Sequence, residues 1–303
     1  MQSEGCEELC ARLCLLTRAC WSDALPAPLT RAEFGRMAAS GALQGLVLRA
    51  VPGVELALLR RAQALLTRVR SVCELAGRYE QRGYRALLPG QAAWPQALFS
   101  LGMQAPPFLF ARGELSILNG ARYAVAGSRQ IRQETRRAAR QLGHRIAGEG
   151  AVLVTGGAHG VDREVQAGAL EAGGLVVLVP AQPDADVLRQ ADTAQALAAG
   201  RLLLLYDSLP DDPFSAQRAL SRNHTIYALG AAAIVVAARE GAGGSWRGAV
   251  DCLRGGWSPV LVCDDHANAD MAGCRALLAL GARALAPDVP LHAQQGGKQL
   301  RLC

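Results

Sequence analysis

The chain has 303 residues, enough for about two domains with a full hydrophobic core. Half of the residues are apolar, 19% are charged and 5% are aromatic, a composition that excludes a largely disordered protein. The formal net charge of +6 permits nucleic-acid binding without showing it, and no apolar run reaches the ~18 residues that a membrane-spanning helix needs.

The N-terminal segment MQSEGCEELC carries acidic residues where a secretory signal peptide would carry basic ones, so we expect a cytoplasmic protein. None of the nine cysteines stands in a C-x-x-C pair, so neither a zinc site nor a thioredoxin-like motif is predicted, and cytosolic thiols are expected to stay reduced. Cys6, Cys10 and Cys14 recur at every fourth position and would share one face of a helix. We interpret them as buried small side chains; a metal or redox role is the alternative.

Residues 1–82 are predicted to form a small helical N-terminal domain. Apolar residues recur at helical spacing over 7–20, the sequence TRAE at 30–33 is a capping box that begins a short helix, and one long amphipathic helix is predicted over 55–77. Residues 83–120 follow as a proline-rich lead-in that favours extended chain and rigid turns.

Residues 121–283 have a different pattern, in which short apolar runs alternate with helical segments. The predicted strands are 123–126, 151–155, 175–180, 202–206, 232–237 and 260–263, and the predicted helices lie near 132–148, 162–172, 187–198, 215–229, 245–255 and 270–281. This alternation predicts an α/β fold with a doubly wound, mainly parallel, Rossmann-like sheet whose strands are buried on both faces. Residues 284–303 are predicted to be an irregular tail.

In an open parallel sheet, ligands bind beyond the carboxyl ends of the strands, so the residues that follow each predicted strand are candidates for a site. The first strand is followed by Gly127, Ser128 and Arg129 at the start of a helix. A glycine lets the backbone approach a ligand closely, and the unpaired N–H groups of a helix N-terminus suit a phosphate. The alternative is a tight turn with a solvated arginine.

The second strand leads into the glycine-rich sequence TGGAHGVD at 155–162, a loop that can cradle an anion. Its candidate ligand-binding residues are Thr155, Gly156, Gly157, His159, Gly160 and Asp162. The G-x-G-x-x-G spacing of dinucleotide-binding folds is absent. Asp162 is at least as well interpreted as the N-cap of the next helix.

The fifth strand is followed by a third glycine-rich loop, with Gly243, Gly244, Ser245 and Trp246 as candidates. The tryptophan would either stack on a base or serve as a half-buried anchor. The helix before that strand carries further candidates opposite its apolar side, namely Arg218, Arg222, Asn223 and His224. Three glycine loops at three strand ends of one sheet predict a site for phosphate-bearing material, either a nucleotide or a strand of nucleic acid.

Two arginines of this set are expected to converge. Arg129 follows the first strand and Arg222 lies on the helix before the fifth, so both should reach the same crevice and contact the same phosphate-bearing ligand. Arg132, Arg136 and Arg140 are spaced by four on the next helix and are interpreted as a solvated face.

Taken together, the motifs resemble those of the DNA-processing protein family known as Smf or DprA. PPFLFARG at 106–113 is similar to the family's PP-x-L-x-x-x-G lead-in, GSR at 127–129 matches its GSR motif, and TGGAHGVD at 155–162 is similar to SGxAxGID. SRNHTIYAL at 221–229 corresponds to RNRxIxxLS, and GGSWRGA at 243–249 matches GGTWxGA. The motifs occur in the family's order across about half of the chain.

The resemblance implies a Rossmann-like domain that binds single-stranded DNA at a basic pocket, forms a homodimer, and delivers DNA to the RecA recombinase during natural transformation. DNA processing, competence and DNA recombination are the processes it implies; no catalytic residue, metal or cofactor follows from the motifs. Gln166 stands where many members have histidine, and His224 replaces the second arginine of the RNR motif. With no winged-helix domain predicted at the C-terminus, we expect a divergent member.

The alternative function is a nucleotide-binding sensor or a nucleotide-hydrolysing enzyme, of which phosphoribohydrolases with a related fold are the example. Their P-G-G-x-G-T-x-x-E signature is half met by Gly243, Gly244 and Ser245, but the glutamate is absent and Asp251 is the nearest acid. Salt-sensitive binding of oligonucleotides would favour the first function, and stabilisation by small nucleotides the second.

Overall fold

The computed structural model describes residues 3–263 and 271–295. The chain divides into two compact units. The first contains Met1–Trp94 and Pro107–Leu109, and the second contains Pro95–Pro106 and Phe110–Cys303. No helix among the described residues is both long and apolar enough to cross a membrane.

The first unit is mainly helical. Its elements are α1 (Ser3–Leu16), α2 (Arg31–Ala39), the short strands β1 (Leu43–Gln44) and β2 (Val47–Leu48), α3 (Leu56–Leu66), α4 (Val69–Gln81) and β3 (Tyr84–Leu87). The predicted capping box is confirmed, because the Thr30 hydroxyl accepts from the Glu33 N–H at 3.2 Å while the Glu33 carboxylate accepts from the Thr30 N–H. A core of α1, α2 and α3 side chains closes around Leu15, Met37 and Leu65.

The predicted single helix over 55–77 is wrong, since the chain breaks between α3 and α4. At the break, the side chain of Arg68 is only 6% exposed and donates to the backbone carbonyls of Cys14 and Ala19. Those carbonyls lie at and beyond the C-terminal end of α1, where a helix leaves acceptors without intrahelical partners. The apolar periodicity continues through the break, which is why the sequence pattern does not reveal it.

Two of the three α1 cysteines are buried as predicted, while Cys6 is half-buried. Cys10 and Cys14 are fully buried, and burial raises the pKa of the Cys14 thiol to about 11. The expectation that all thiols are reduced is wrong for one pair, because Cys10 forms a disulfide with Cys73 of α4. The helical spacing that buries Cys10 also directs it at α4, where the Cα of Cys73 lies 5.7 Å away.

The second unit contains a sheet with helices between its strands. The strands are β4 (Leu109–Arg112), β5 (Arg122–Ala126), β6 (Val152–Thr155), β7 (Leu175–Leu178), β8 (Leu202–Tyr206), β9 (Ala232–Val235), β10 (Val260–Val262) and β11 (Arg283–Ala284). The helices are α5 (Gln133–Gly148), α6 (Val161–Glu171), α7 (Asp184–Leu188), α8 (Ala191–Ala198), α9 (Ala216–Leu229), α10 (Gly243–Gly255) and α11 (Ala272–Ala279).

All six predicted strands are present, and the predicted doubly wound, mainly parallel fold is confirmed. Within the second unit the strand order is β11-β10-β9-β5-β6-β7-β8-β4, with β4 antiparallel to β8 and every other adjacent pair parallel. β4 and β11 were not predicted, and the helix predicted over 187–198 is divided into α7 and α8. The predicted irregular tail contains a 3-10 turn at Leu291–Gln294, and residues 296–303 lie outside the described residues.

The strand order reverses at β5. From β5 the chain adds β6, β7 and β8 on one side, and then returns to place β9 and β10 on the other. In doubly wound sheets the crevice at such a reversal is where ligands bind. The fold therefore predicts a ligand site at the carboxyl ends of β5 and β9.

Candidate functional site

A cleft of about 1050 Å³ opens where β5 and β9 end. The loops after these strands line it together with α9 and the first turns of α10 and α11. Its charged lining residues are four arginines and two acids, namely Arg129, Arg222, Arg239, Arg247, Asp162 and Glu240. With four arginines against two acids, the charge of this cleft suits an anion.

The guanidinium of Arg222 lies within this cleft lining although its residue is only 4% exposed. Its Nε has no hydrogen-bond partner among the described residues. Burial lowers the pKa of Arg222, and the nearby carboxylates of Asp162 and Asp207 oppose that shift. Because arginine stays charged in proteins, Arg222 places a largely buried positive charge at the cleft.

Gly156 makes room for this arginine. A Cβ on Gly156 would lie 1.6 Å from one terminal nitrogen of Arg222, so every larger residue would displace the guanidinium. Gly156 is not among the residues that line the cleft. Its lack of a side chain nevertheless determines where the Arg222 guanidinium lies, and we call this position the floor of the cleft.

Asp162 lies beside Arg222 and is 6% exposed. Burial raises the pKa of its carboxyl to about 6, although the charge of Arg222 and backbone N–H groups of the surrounding loops act in the opposite direction. The interpretation of Asp162 as an N-cap is wrong, because α6 begins at Val161 after Gly160, whose φ of +86° only glycine adopts readily. Asp162 therefore falls inside the first turn, and its carboxylate folds back to accept from the Ala158 N–H at 3.4 Å.

Hydrogen bonds tie the glycine loops to one another. The Ser245 hydroxyl donates to the Gly127 carbonyl at 2.7 Å, and the Ser128 N–H donates to the Ala237 carbonyl at 2.9 Å. The Val161 N–H donates to the Ser128 carbonyl at 3.1 Å. The loops after β5, β6 and β9 are thus joined, which fixes their backbone groups relative to one another.

The N-terminus of α10 opens into the cleft with its donors unused by side-chain caps. Its N-cap, Ala242, offers no side-chain hydrogen bond, and Gly243 and Gly244 form the first turn. A Cβ on Gly244 would lie 2.9 Å from the Asn223 amide nitrogen, so glycine permits α9 and α10 to approach. Free N–H groups and the helix dipole favour an anion at this point.

At the mouth of the cleft, Arg129 lies over the ring of Phe214, with the guanidinium carbon 5.5 Å from the ring centroid. Both side chains are exposed, Phe214 by 46%. The ring orients the guanidinium without neutralising it.

The arginines of the cleft differ from most others in the second unit. None of the guanidinium groups of Arg129, Arg222, Arg239 and Arg247 has an ion pair or hydrogen bond among the described residues. Several other arginines of this unit pair with acids, as in Arg136–Glu164, Arg140–Glu171, Arg163–Asp192, Arg189–Asp186 and Arg218–Asp212. The cleft thus contains four arginines without an ion pair among the described residues, at the sheet edge where doubly wound folds bind ligands.

The cleft brings together about half of the predicted site residues. Those that line it are Gly127, Ser128, Arg129, Asp162, Arg222, Asn223, Gly243, Gly244 and Ser245. Those that do not are Thr155, Gly156, Gly157, His159, Gly160, Arg218, His224 and Trp246. The convergence of Arg129 and Arg222 at one cleft is as predicted, while their contact with a ligand stays a prediction.

The predicted residues outside the lining have other contacts. The Thr155 hydroxyl is buried and donates to the Val125 carbonyl at 3.1 Å. Arg218 pairs with Asp212 at 3.0 Å, which compensates its charge. His224 lies 3.0 Å from an Asp251 carboxylate oxygen, between α9 and α10, and Trp246 is half-buried, which favours its interpretation as an anchor.

Sequence reasoning missed several lining residues, namely Phe214, Gln130, Arg239, Glu240, Arg247, Ala272 and Gly273. Arg239 and Glu240 follow the fifth predicted strand and could have been found by the same rule that found Arg129. Gly273 could not, because only the fold brings its N–H to the Ala238 carbonyl, at 3.0 Å.

Comparison with known proteins agrees with the observed fold. The sequence model of a family described as DNA recombination-mediator protein A matches residues 85–291. DNA processing protein A (DprA) from Streptococcus pneumoniae has a similar structure, with a TM-score of 0.70 and 20% identity over 89% of this chain and 95% of that chain. DNA processing protein A from Helicobacter pylori, solved for its single-stranded DNA binding mode, has a TM-score of 0.54 and 24% identity over 66% of this chain and 90% of that chain. No curated protein matches the sequence.

Proposed function

The chain belongs to the DNA recombination-mediator protein A (DprA) family, and from this we propose that it acts by binding single-stranded DNA in the cleft described above rather than by catalysis. The observation that carries the proposal is the buried guanidinium of Arg222, which lies in the cleft lining together with the exposed Arg129. Burial of a guanidinium is costly, and a phosphate bound in the cleft would add a negative charge beside it.

In this proposal a backbone phosphate binds above Arg222, at the uncapped N-terminus of α10. Arg129 binds the same strand from the mouth of the cleft, where Phe214 orients its guanidinium. The bound strand displaces counterions, so affinity falls steeply with salt. Phosphate contacts of this kind carry no base information, and binding without strong sequence preference is expected.

The wider role that we propose follows the family. It comprises processing of DNA taken up during natural transformation (competence), delivery of the strand to the RecA recombinase for DNA recombination, action as a homodimer, and a cytoplasmic location. Family membership supports each of these.

Fluorescence anisotropy with a labelled oligonucleotide at several salt concentrations tests the proposal. Arg129→Ala should weaken binding by about 1–3 kcal/mol, the range for a charge-assisted contact, and Arg222→Lys should also weaken it because lysine lacks the planar fork. Arg136→Ala is the matched control. Arg136 lies on α5, the helix that follows Arg129 in the chain, but it is paired with Glu164 at 2.8 Å.

No binding at low salt would refute the proposal outright. Equal losses in all three variants would instead mean that binding is diffuse electrostatics over the surface, without a defined pocket. Melting temperatures of the variants show whether a loss arises from the site or from the fold.

A further inference from the structure

We propose that Arg239 and Arg247 form a second phosphate subsite, on the β9 and α10 side of the cleft, that binds a further phosphate of the strand held at Arg222. The inference rests on the proposed function and adds to it the extent of the bound ligand. The ligand is then an oligonucleotide that spans the cleft, and a mononucleotide fills only the inner subsite.

The two arginines reach the cleft from adjacent elements. Arg239 lies in the turn after β9, and Arg247 lies in the second turn of α10. Both are exposed and line the cleft, and neither guanidinium has a hydrogen bond or an ion pair among the described residues. Their charges are therefore available in the direction of the cleft.

The turn that carries Arg239 is held firmly. Arg239 and Ala242 form an antiparallel bridge across it, and Gly241 supplies the φ of +69° that the turn needs. From the other side, a Cβ on Gly273 would lie 2.2 Å from the Ala238 carbonyl oxygen, so α11 packs directly against the start of the turn. A backbone fixed in this way reduces the entropy lost when the side chain binds a phosphate.

The size of the cleft agrees with an extended ligand. Its volume of about 1050 Å³ lies at the upper limit of the ~300–1000 Å³ typical of small-molecule pockets. In the strand order β9-β5-β6, Arg239 follows β9, Arg129 follows β5, and the Arg222 guanidinium lies against Gly156 after β6. The charges therefore follow the sheet edge over three strands that lie about 4.8 Å apart, which suits a strand with several phosphates.

One acid opposes the subsite. Glu240 lines the cleft next to Arg239 and has no ion pair among the described residues. Two guanidinium groups against one carboxylate leave the subsite net positive, which suits a single phosphate diester. Glu240→Gln should consequently tighten oligonucleotide binding, by about three- to tenfold at low salt.

Anisotropy titrations of Arg239→Ala and Arg247→Ala test the subsite, with a labelled oligothymidylate longer than the ~4–16 nucleotides that single-strand-binding folds cover. Each substitution should weaken binding about three- to tenfold at low salt and lower the salt slope by about 0.7. Arg254→Ala is the matched control, because Arg254 is exposed on the same helix α10 but lies outside the cleft.

Thymidine monophosphate is the second probe, in a competition titration. Its affinity should be unchanged by Arg239→Ala and Arg247→Ala and reduced by Arg129→Ala. If the two substitutions leave oligothymidylate binding like the Arg254 control, or weaken both probes equally, the second subsite is overturned while the proposed function stands. If the unsubstituted protein binds neither probe, the proposed function fails with it.

Discussion

In the proposed site, we expect the buried Asp162 carboxyl to make oligonucleotide binding sensitive to pH. Burial raises the pKa of this carboxyl to about 6. In its charged form, the carboxylate repels a phosphate and competes with it for the positive charge of Arg222. Below pH 6 the carboxyl is neutral and Arg222 is available to a ligand. Oligonucleotide affinity should therefore fall as the pH rises from about 5 to about 7, with its midpoint near the pKa of Asp162.

The control for this prediction is Asp162→Asn, which should bind with little pH dependence over the same range. A pH dependence that persists in the variant would assign the effect to other groups. The free energy of unfolding should change in the same direction. A carboxyl whose pKa is raised by folding contributes most to stability below its unfolded pKa of about 4, and that contribution is lost as the pH rises through the folded pKa. Urea unfolding at pH 5 and pH 7 measures this loss of stability.

At the scale of elements, the break between α3 and α4 depends on one side chain. Arg68→Ala would leave the buried carbonyls at the end of α1 without their donor, at a cost of about 1–3 kcal/mol for each carbonyl. Arg70→Ala is the control, because Arg70 is two residues away but its side chain is 92% exposed and forms a surface pair with Glu74. Thermal melts should show a clear loss for the first variant and almost none for the second; similar losses would contradict the role of Arg68.

Which elements the sequence reveals depends on their burial. Strands β6, β8, β9 and β10 are buried along their whole length, so they appear as continuous apolar runs. β4 follows two prolines and belongs to a segment that reads as a connector, and β11 has only two residues, so neither has a recognisable pattern. The alternation of strands and helices then determines the sheet, and the sheet determines which loops share an edge.

At the scale of the whole molecule, the sequence predicts which loops share an edge of the sheet. It does not predict which arginines at that edge are paired with acids. The GSR loop and Arg222 were found because their positions follow from strand order. Arg218 lies one helical turn from Arg222 and has the same sequence signal, yet its pairing with Asp212 is a property of the folded chain. Which arginines are compensated cannot be read from spacing, because the acids that pair with them come from other elements.

The dependence of the site on the whole fold can be tested at Gly156, which lies 66 residues before Arg222 in the chain but directly against its guanidinium. Gly156→Ala should displace the guanidinium and weaken oligonucleotide binding about tenfold or more. An oligonucleotide at one hundred times its dissociation constant stabilises the parent protein by about 2.7 kcal/mol, and this stabilisation should largely disappear. Gly148→Ala makes the same chemical change in helix α5, where a Cβ meets nothing within 4 Å, and should leave binding intact.

In a double-mutant cycle, adding Arg222→Ala to Gly156→Ala should recover stability without recovering binding, because the clash is removed together with the charge. Additive losses in that cycle would contradict the direct contact and, with it, the placement of the buried arginine at the floor of the cleft.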